Sequence, residues 1–491
     1  MCYNENMNID IKKKVRWQTL PWVRALLAHP GAELFLVGGA VRDELLKRPT
    51  ADFDFVIRGL EKKQIEKTLP RYGSVNLVGK KFGVYKFVPR GWQDEPIDLA
   101  LPRTEHTLTG SGAYKDFAIA SDPRLPIEAD LQRRDFTVNA LAVNIATNKL
   151  VDVTNGQRDL KNKIIRTVGK PEQRFREDYT RLLRCVRFAV SLDFTIEKET
   201  FGQIKKLIGN LNKKITSGYV VPRELIASEL VKMLRPNPVR AVELLDSSGA
   251  LAILIPELLT MKKCPQPKNF HSEGDVWIHT LLTLKNLTST QFKREFKNQP
   301  TTDEVLWALL FHDLGKPYTI VRMDRLRYNN HDAVSAEKFR AVANRLKLSS
   351  GGINPEIIEQ LIAKHMLITH GNVNQMKATT LEKYFFSSRF PGNELLMVIF
   401  ADISASLPAR GKPTFDSYKK LKKRLASLQQ HSRRQKASLP KPLLTGTELM
   451  KATKLKPGPR IGELLTVLRE AQLSGKIKTK NQALLLLKKI K

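Results

Sequence analysis

The apolar run Leu34–Val37 stops abruptly at Gly38-Gly39, which predicts a strand followed by a tight turn. A short lead helix is expected before it, over 15–29. From there to about residue 170, short apolar runs alternate with Gly, Pro and Asp. The stretches 75–89 and 95–103 read as strands, and 150–156 as a strand ending in a turn. After Pro171 the periodicity becomes helical over 176–192, 196–208 and 223–234, and most of the remainder is helical too. Residues 409–442 form a basic helix running into a Ser/Pro/Lys linker. In the last unit Pro459 stands where a helix should begin, Ile461, Leu464, Leu465 and Leu468 make one apolar face, and Gly475 ends it. There is no internal repeat. The pattern is α+β first and helical afterwards.

Size and charge extend this picture. The chain has 491 residues, enough for roughly three or four units. Lys and Arg number 83 against 49 Asp and Glu, giving a net charge of +34, which points to a polyanionic partner. Cys2, Cys185 and Cys264 are odd in number and lack metal-like spacing, so a reducing compartment is expected. The first residues lack the apolar core of a signal peptide, and no apolar run approaches the ~20 residues that span a bilayer. The expected location is the cytoplasm, with no membrane partner.

The strand after Gly38-Gly39 carries the first chemistry. In an extended chain Asp52 and Asp54 project to one face while Phe53 and Phe55 project to the other. Paired carboxylates repel unless a cation lies between them, and oxygen ligands suit Mg²⁺. The glycines let backbone N–H groups approach a triphosphate, and Arg42, one helical turn on, can reach a phosphate oxygen. A lone Gly-Gly or a lone Asp-x-Asp would be an ordinary turn or a solvated edge. Together they describe a nucleotide site.

The run LFLVGGAVRDELLKRPTADFDFVI (34–57) resembles the signature of class II tRNA nucleotidyltransferases, the CCA-adding enzymes, and of the related bacterial poly(A) polymerases. LQRRDFTVNALAVN (131–144) and REDYTRLLRCVRFAVSLDF (176–194) resemble two further motifs of that family, and LPRTEHTLTGSGAY (101–114) the segment carrying its flexible loop. The resemblance implies a head of mixed sheet and helices over 30–170. It implies an all-α neck that binds RNA and nucleotide over 171–260, an all-α histidine–aspartate domain over 261–410 and a basic helical tail over 411–491. It makes Asp52 and Asp54 the metal-binding catalytic pair, with Asp98 as a further acid. Gly38, Gly39, Arg42 and Arg134, with Asp135 and Asn139 of the same motif, would contact the nucleotide. On a continuous helix Asp178 and Arg181 would share a face. The family is thought to use this pair to read the base, and Arg184 and Arg187 continue the nucleotide edge.

A second constellation lies further on. His279 sits in DVWIHTLLTL, His312-Asp313 in LWALLFHDLGKP, His331 in NNHDAVSAEKF and Asp402 in VIFADISAS. Histidine and carboxylate ligands from separate helices suit a divalent transition metal able to activate water. The ordered set resembles the HD phosphohydrolases. It implies His279, His312, Asp313 and Asp402 as ligands, with His331 behind them or facing substrate. The expected reaction is CCA addition to the tRNA 3′ end from CTP and ATP, the acceptor arm being held by phosphate contacts and shape. Addition of the final A alone, or poly(A) synthesis, is the nearest alternative. A phosphohydrolase or RNA-binding protein with an inactive transferase fold ranks lower, and so does a protein-modifying uridylyltransferase. The oligomeric state is not legible.

Overall fold

Strand β1 (Glu33–Val37) lies inside a seven-stranded mixed sheet with its four apolar side chains all buried, as a strand covered on both faces requires. The computed structural model describes residues 17–78, 84–107, 112, 117–216, 218–323, 325–369, 373–433 and 440–490. The chain divides into two units, Met1–Leu254 and Ile255–Lys491.

The sheet of the first unit also contains β2 (Asp54–Arg58), β3 (Gly73–Val78), β4 (Val84–Pro89) and β5 (Ile97–Ala100). Strands β6 (Arg103–Thr107) and β7 (Phe117–Ser121) form a separate hairpin, and β8 (Ala142–Asn144) and β9 (Leu150–Val151) return to the sheet. The order is β3-β4-β5-β2-β1-β8-β9, and every neighbouring pair is antiparallel except β2 with β5. That parallel pair sets Asp54 beside Asp98. Phe53 and Phe55 face inward, Trp17 packing on them at 5.0 and 4.9 Å between ring centroids. The lead helix is shorter than expected. Pro21 opens it at Pro21–Leu27, after a single tighter turn at Trp17–Thr19. The turn of the predicted 75–89 stretch, 79–83, and residues 1–16 lie outside the described residues, as do Cys2 and the linker 434–439.

The neck follows as helices Pro171–Glu177, Thr180–Leu192, Lys198–Leu207, Arg223–Leu234 and Pro238–Ser247. The helix expected to run unbroken from 176 is broken at Asp178, whose φ of −151° and ψ of 106° are extended. In the second unit, Val276–Asn286, Asp303–Phe311, His331–Leu346, Pro355–Lys364 and Gly392–Ala405 form a helical core. A short hairpin, Ile320–Arg322 with Leu326–Tyr328, interrupts it. The basic helix Asp416–Arg433 leads to Pro459–Leu473, which begins at its proline and is followed by Gly475 at φ +78°. Ile461, Leu464 and Leu468 are buried there, with Leu465 packed against them. Among the described residues no helix is long and apolar enough to cross a membrane.

Candidate active sites

The first site forms where β1 ends. Gly38 has φ +72°, and a Cβ there would lie 2.8 Å from Arg134 Nη1 and 3.8 Å from Asp54 Oδ2. The positive φ calls for glycine, and a Cβ would also push the Arg134 guanidinium aside. Its N–H, however, is donated to Leu141 O at 3.0 Å and so is not free for a phosphate. The helix Gly39–Leu45 starts immediately after it.

Asp54 opens β2 and is half-buried, while Asp52 stands exposed just before the strand. Among the described residues neither carboxylate forms a hydrogen bond or ion pair. Burial, then the charges of Asp52 and Asp98, raise the pKa of Asp54 to about 6 against the pull of Arg134. Two carboxylates this close repel, and an oxygen-seeking cation is the partner that would relieve them. Asp98 differs, because Lys86, opposite it on β4, donates to its Oδ1 at 2.8 Å and balances the charge.

Arg42 is held by its neighbour: Nε and Nη2 donate to the two oxygens of Asp43, both at 2.9 Å. Its Nη1 donates to Asn139 Oδ1 at 2.7 Å, and Asn139 Nδ2 donates to Asp135 Oδ1 at 3.3 Å. Arg184 Nε and Nη2 reach Asp135 Oδ2 at 3.0 and 2.6 Å. Burial opposes the charge of Asp135, but the Arg184 guanidinium outweighs it and holds the pKa at about 2. Three motifs far apart in sequence thus join in one network. Arg134 is aimed at Gly38 by the fully buried Asp130, whose carboxylate accepts from both Arg133 and Arg134. Phe188 lies beneath Arg42, Arg184 and Arg187, 5.4, 5.5 and 4.1 Å from the ring centre, and Arg187 also donates to Glu229 at 2.6 Å.

Asp178 and Arg181 do not share a helix face. Asp178 Oδ1 accepts from the N–H and hydroxyl of Thr180 at 2.8 and 2.7 Å, a bond pattern that competes with helix and starts a new one. Buried Arg181 instead donates to Glu177 Oε2 at 2.7 Å and to Arg174 O at 3.0 Å. Of the 101–114 segment, 108–111 and 113–114 lie outside the described residues. Gly112 O accepts from the Tyr179 N–H at 3.3 Å.

The second site gathers His279, His312, Asp313, His331 and Asp402, as the sequence pattern anticipated, and adds His365, Glu273 and His271. All but Asp402, Glu273 and His271 are buried almost completely at the residue level. His279 Nδ1 donates to Glu273 Oε1 at 2.8 Å, and its Nε2 lies 3.0 Å from Asp402 Oδ1 and 3.7 Å from Asp313 Oδ2. Burial disfavours a charged ring, yet the bonds to Asp402 and Glu273 raise its pKa to about 9. His312 Nε2 is buried and makes no hydrogen bond. His331 lies in the cluster itself, 3.3 Å from Asp313 Oδ1. This donor set of imidazoles and carboxylates fits a transition metal.

Family models match the Poly A polymerase head domain over 34–166 and the probable RNA- and SrmB-binding site of polymerase A over 193–261. They also match the HD domain over 276–387 and tRNA nucleotidyltransferase domain 2 over 356–487. The multifunctional CCA protein of Neisseria meningitidis is 33% identical over 351 residues, 71% of this chain and 76% of that protein. The protein of that name from Stenotrophomonas maltophilia is 33% identical over 71% of this chain and 79% of its own. The solved CCA-adding enzyme of Bacillus stearothermophilus in complex with CTP has a TM-score of 0.61 at 22% identity, covering 95% of each chain. That of Thermotoga maritima complexed with tRNA has a TM-score of 0.55 at 20% identity over 94% and 92% of the two chains. With its head, neck and HD domain in this order, the chain belongs to the multifunctional CCA proteins, the HD-bearing branch of the CCA-adding tRNA nucleotidyltransferases.

Proposed function

We propose that the chain adds C, C and A to the 3′ end of tRNA without a nucleic-acid template, using CTP and ATP, and that its second unit hydrolyses phosphoesters. The observation that carries the first reading is the network Arg42–Asn139–Asp135–Arg184, which joins the Gly-Gly turn, the head motif and the neck helix, together with Arg134 acting on the Asp54 carboxylate across Gly38. Asp52 and Asp54 would hold Mg²⁺, which lowers the pKa of the attacking hydroxyl and neutralises the triphosphate.

The remaining work falls to the chain's own side chains. Gly38 leaves the space beside Asp54 and Arg134 free of a side chain, where a triphosphate would lie. Arg42 and Arg134 arrive pre-oriented by Asp43 and Asp130, so little side-chain freedom is lost when they meet the phosphates. Asp178 supplies acceptor oxygens and Arg181 donors for the Watson–Crick edge of C or A. Separate tethers, Thr180 and Glu177, set their relative position. Arg184 and Arg187 line the same edge above Phe188. Asp98 acts on the pair through its charge, with Lys86 limiting its own part in binding metal. The basic neck would hold the tRNA acceptor arm through phosphate contacts, and the basic helix Asp416–Arg433 offers further cationic side chains for RNA.

The working division of the chain is head 30–170, neck 171–260, histidine–aspartate domain 261–410 and tail 411–491; the family-model spans 34–166, 193–261 and 276–387 fall within or close to the first three, while the span 356–487 runs across the last boundary. In the second unit, His279, His312, Asp313 and Asp402 would hold a transition metal, which supplies an activated water. Incorporation of labelled CTP and ATP into tRNA lacking its CCA end, lost in Asp52→Ala and Asp54→Ala, tests the transferase. Release of phosphate from RNA ends, lost in His312→Ala alone, tests the hydrolase.

A further inference from the structure

Strand β4 reads VYKFVP, and its alternation decides where the lysine goes. Tyr85 and Phe87 are fully buried beside Leu99 and Ile97 of β5, which are buried too. Lys86 therefore projects from the opposite face, the one that carries Asp98 and Asp54. Register completes the placement: Lys86 stands across from Asp98 on β5, and Asp98 across from Asp54 on β2. The three side chains form one row over three adjacent strands, a cation followed by two carboxylates. With strands about 4.8 Å apart, the backbone of Lys86 is roughly 10 Å from that of Asp54.

The row is unevenly compensated. Lys86 Nζ donates to Asp98 Oδ1 at 2.8 Å, whereas Asp52 and Asp54 form no ion pair among the described residues. The ammonium is also drawn by the charges of Asp52 and Asp54, so it belongs to the same electrostatic group. A third free carboxylate beside Asp54 would strengthen a site for an oxygen-seeking divalent ion. Lys86 removes that third carboxylate from use by occupying its oxygen and offsetting its charge. The lysine's direct repulsion of an ion is weak by comparison, because 46% of its side chain lies in solvent, where charge is screened. Its influence runs through Asp98. The carboxylate is itself 33% exposed, so the pair can open without unpacking the core.

We propose that Lys86 is a positioning residue that holds Asp98 back from the metal pair and so sets the head's demand for Mg²⁺. With the lysine in place an ion meets two free carboxylates, Asp52 and Asp54; without it an ion meets three. The proposal rests on reading Asp52 and Asp54 as the metal pair, and it assigns to a lysine on a neighbouring strand the control of how tightly they bind.

The test uses the full chain with Mn²⁺ as the probe, free Mn²⁺ being followed by electron paramagnetic resonance in about 0.15 M salt. The ion that the parent binds, and that a double variant carrying Asp52→Ala and Asp54→Ala does not, is the head's. Lys86→Met should tighten that ion roughly tenfold, the scale of one further carboxylate facing it in a partly screened site. Lys86→Arg keeps the charge and the bond and should stay within about twofold of the parent. In an Asp98→Asn background the gain from Lys86→Met should shrink below about threefold, since the carboxylate it releases is gone. An unchanged affinity in Lys86→Met, or a gain of full size in the Asp98→Asn background, overturns the proposal. No difference between the parent and the double variant overturns the metal pair itself, and the proposal with it. Circular dichroism checks that each variant is folded; should Asp98→Asn unfold, Lys86→Met against Lys86→Arg still decides the matter.

Discussion

Arg184 on a neck helix donates two hydrogen bonds to Asp135 of the head motif, the shorter at 2.6 Å, and so ties the neck helix Thr180–Leu192 to the head. The pair is also the far end of the chain of bonds that fixes Arg42 through Asn139. Removing the buried charge leaves the Arg184 guanidinium without its carboxylate partner. Asp135→Asn should therefore lower stability by about 3 kcal/mol and raise the KM for both nucleotides together. Thermal melts and initial-rate kinetics check this; an unchanged KM would mean that the network is structural only.

Asp54 makes a prediction with a definite sign. Its pKa is raised from 3.8 to about 6 by burial and by its acidic neighbours. The folded chain therefore holds a proton that the unfolded chain has lost. This contribution to stability is fully present below about pH 4 and disappears as pH rises through about 6. Without metal, Asp54→Asn should melt higher than the parent at pH 7.5, with the difference shrinking towards pH 5. Mg²⁺ should raise the melting temperature of the parent at pH 7.5 and leave Asp54→Asn unmoved. A mutant less stable than the parent at pH 7.5 would contradict the assignment.

The Glu177–Arg181 bond leads to a prediction about selectivity. Glu177→Gln leaves Arg181 its donors but weakens the tether that places them, so discrimination between correct and incorrect nucleotides should fall roughly tenfold, about one charge-assisted hydrogen bond. Asp178→Ala should reduce discrimination and also weaken the start of its helix by about 1 kcal/mol. Single-nucleotide incorporation ratios read the first effect and melts the second.

The two sites should fail separately. His279→Ala should abolish phosphate release from RNA ends and leave nucleotide addition within about twofold of the parent, while Asp52→Ala should do the reverse. Loss of both activities in either variant would contradict two independent centres.

What was legible in the sequence follows from period and punctuation. The alternation of Asp52 and Asp54 with Phe53 and Phe55 needs only the pleat of a strand, and Phe53 and Phe55 are buried as that pleat requires. Pro459 and Gly475 mark the ends of their helix for equally local reasons. The break at Asp178 was missed because helical spacing continues across it, whereas a side-chain bond to Thr180 decides the backbone locally. Lys86 against Asp98 depends on strand register, and Asp130 under Arg134 on which turns are buried; neither appears in a linear motif. His365 ends an ordinary amphipathic helix, and only its approach to His331 marks it out.

The central claim is complete CCA synthesis, and one set of reactions tests it most directly. Three tRNA transcripts, ending before CCA, after C and after CC, are each given CTP, ATP or both with Mg²⁺, and the products are sized at single-nucleotide resolution. The account predicts C, C and then A on the shortest transcript, C and A on the second, A alone on the third, and a stop there. Addition of A to the CC-ended transcript only, or of long A tails to all three, would contradict it.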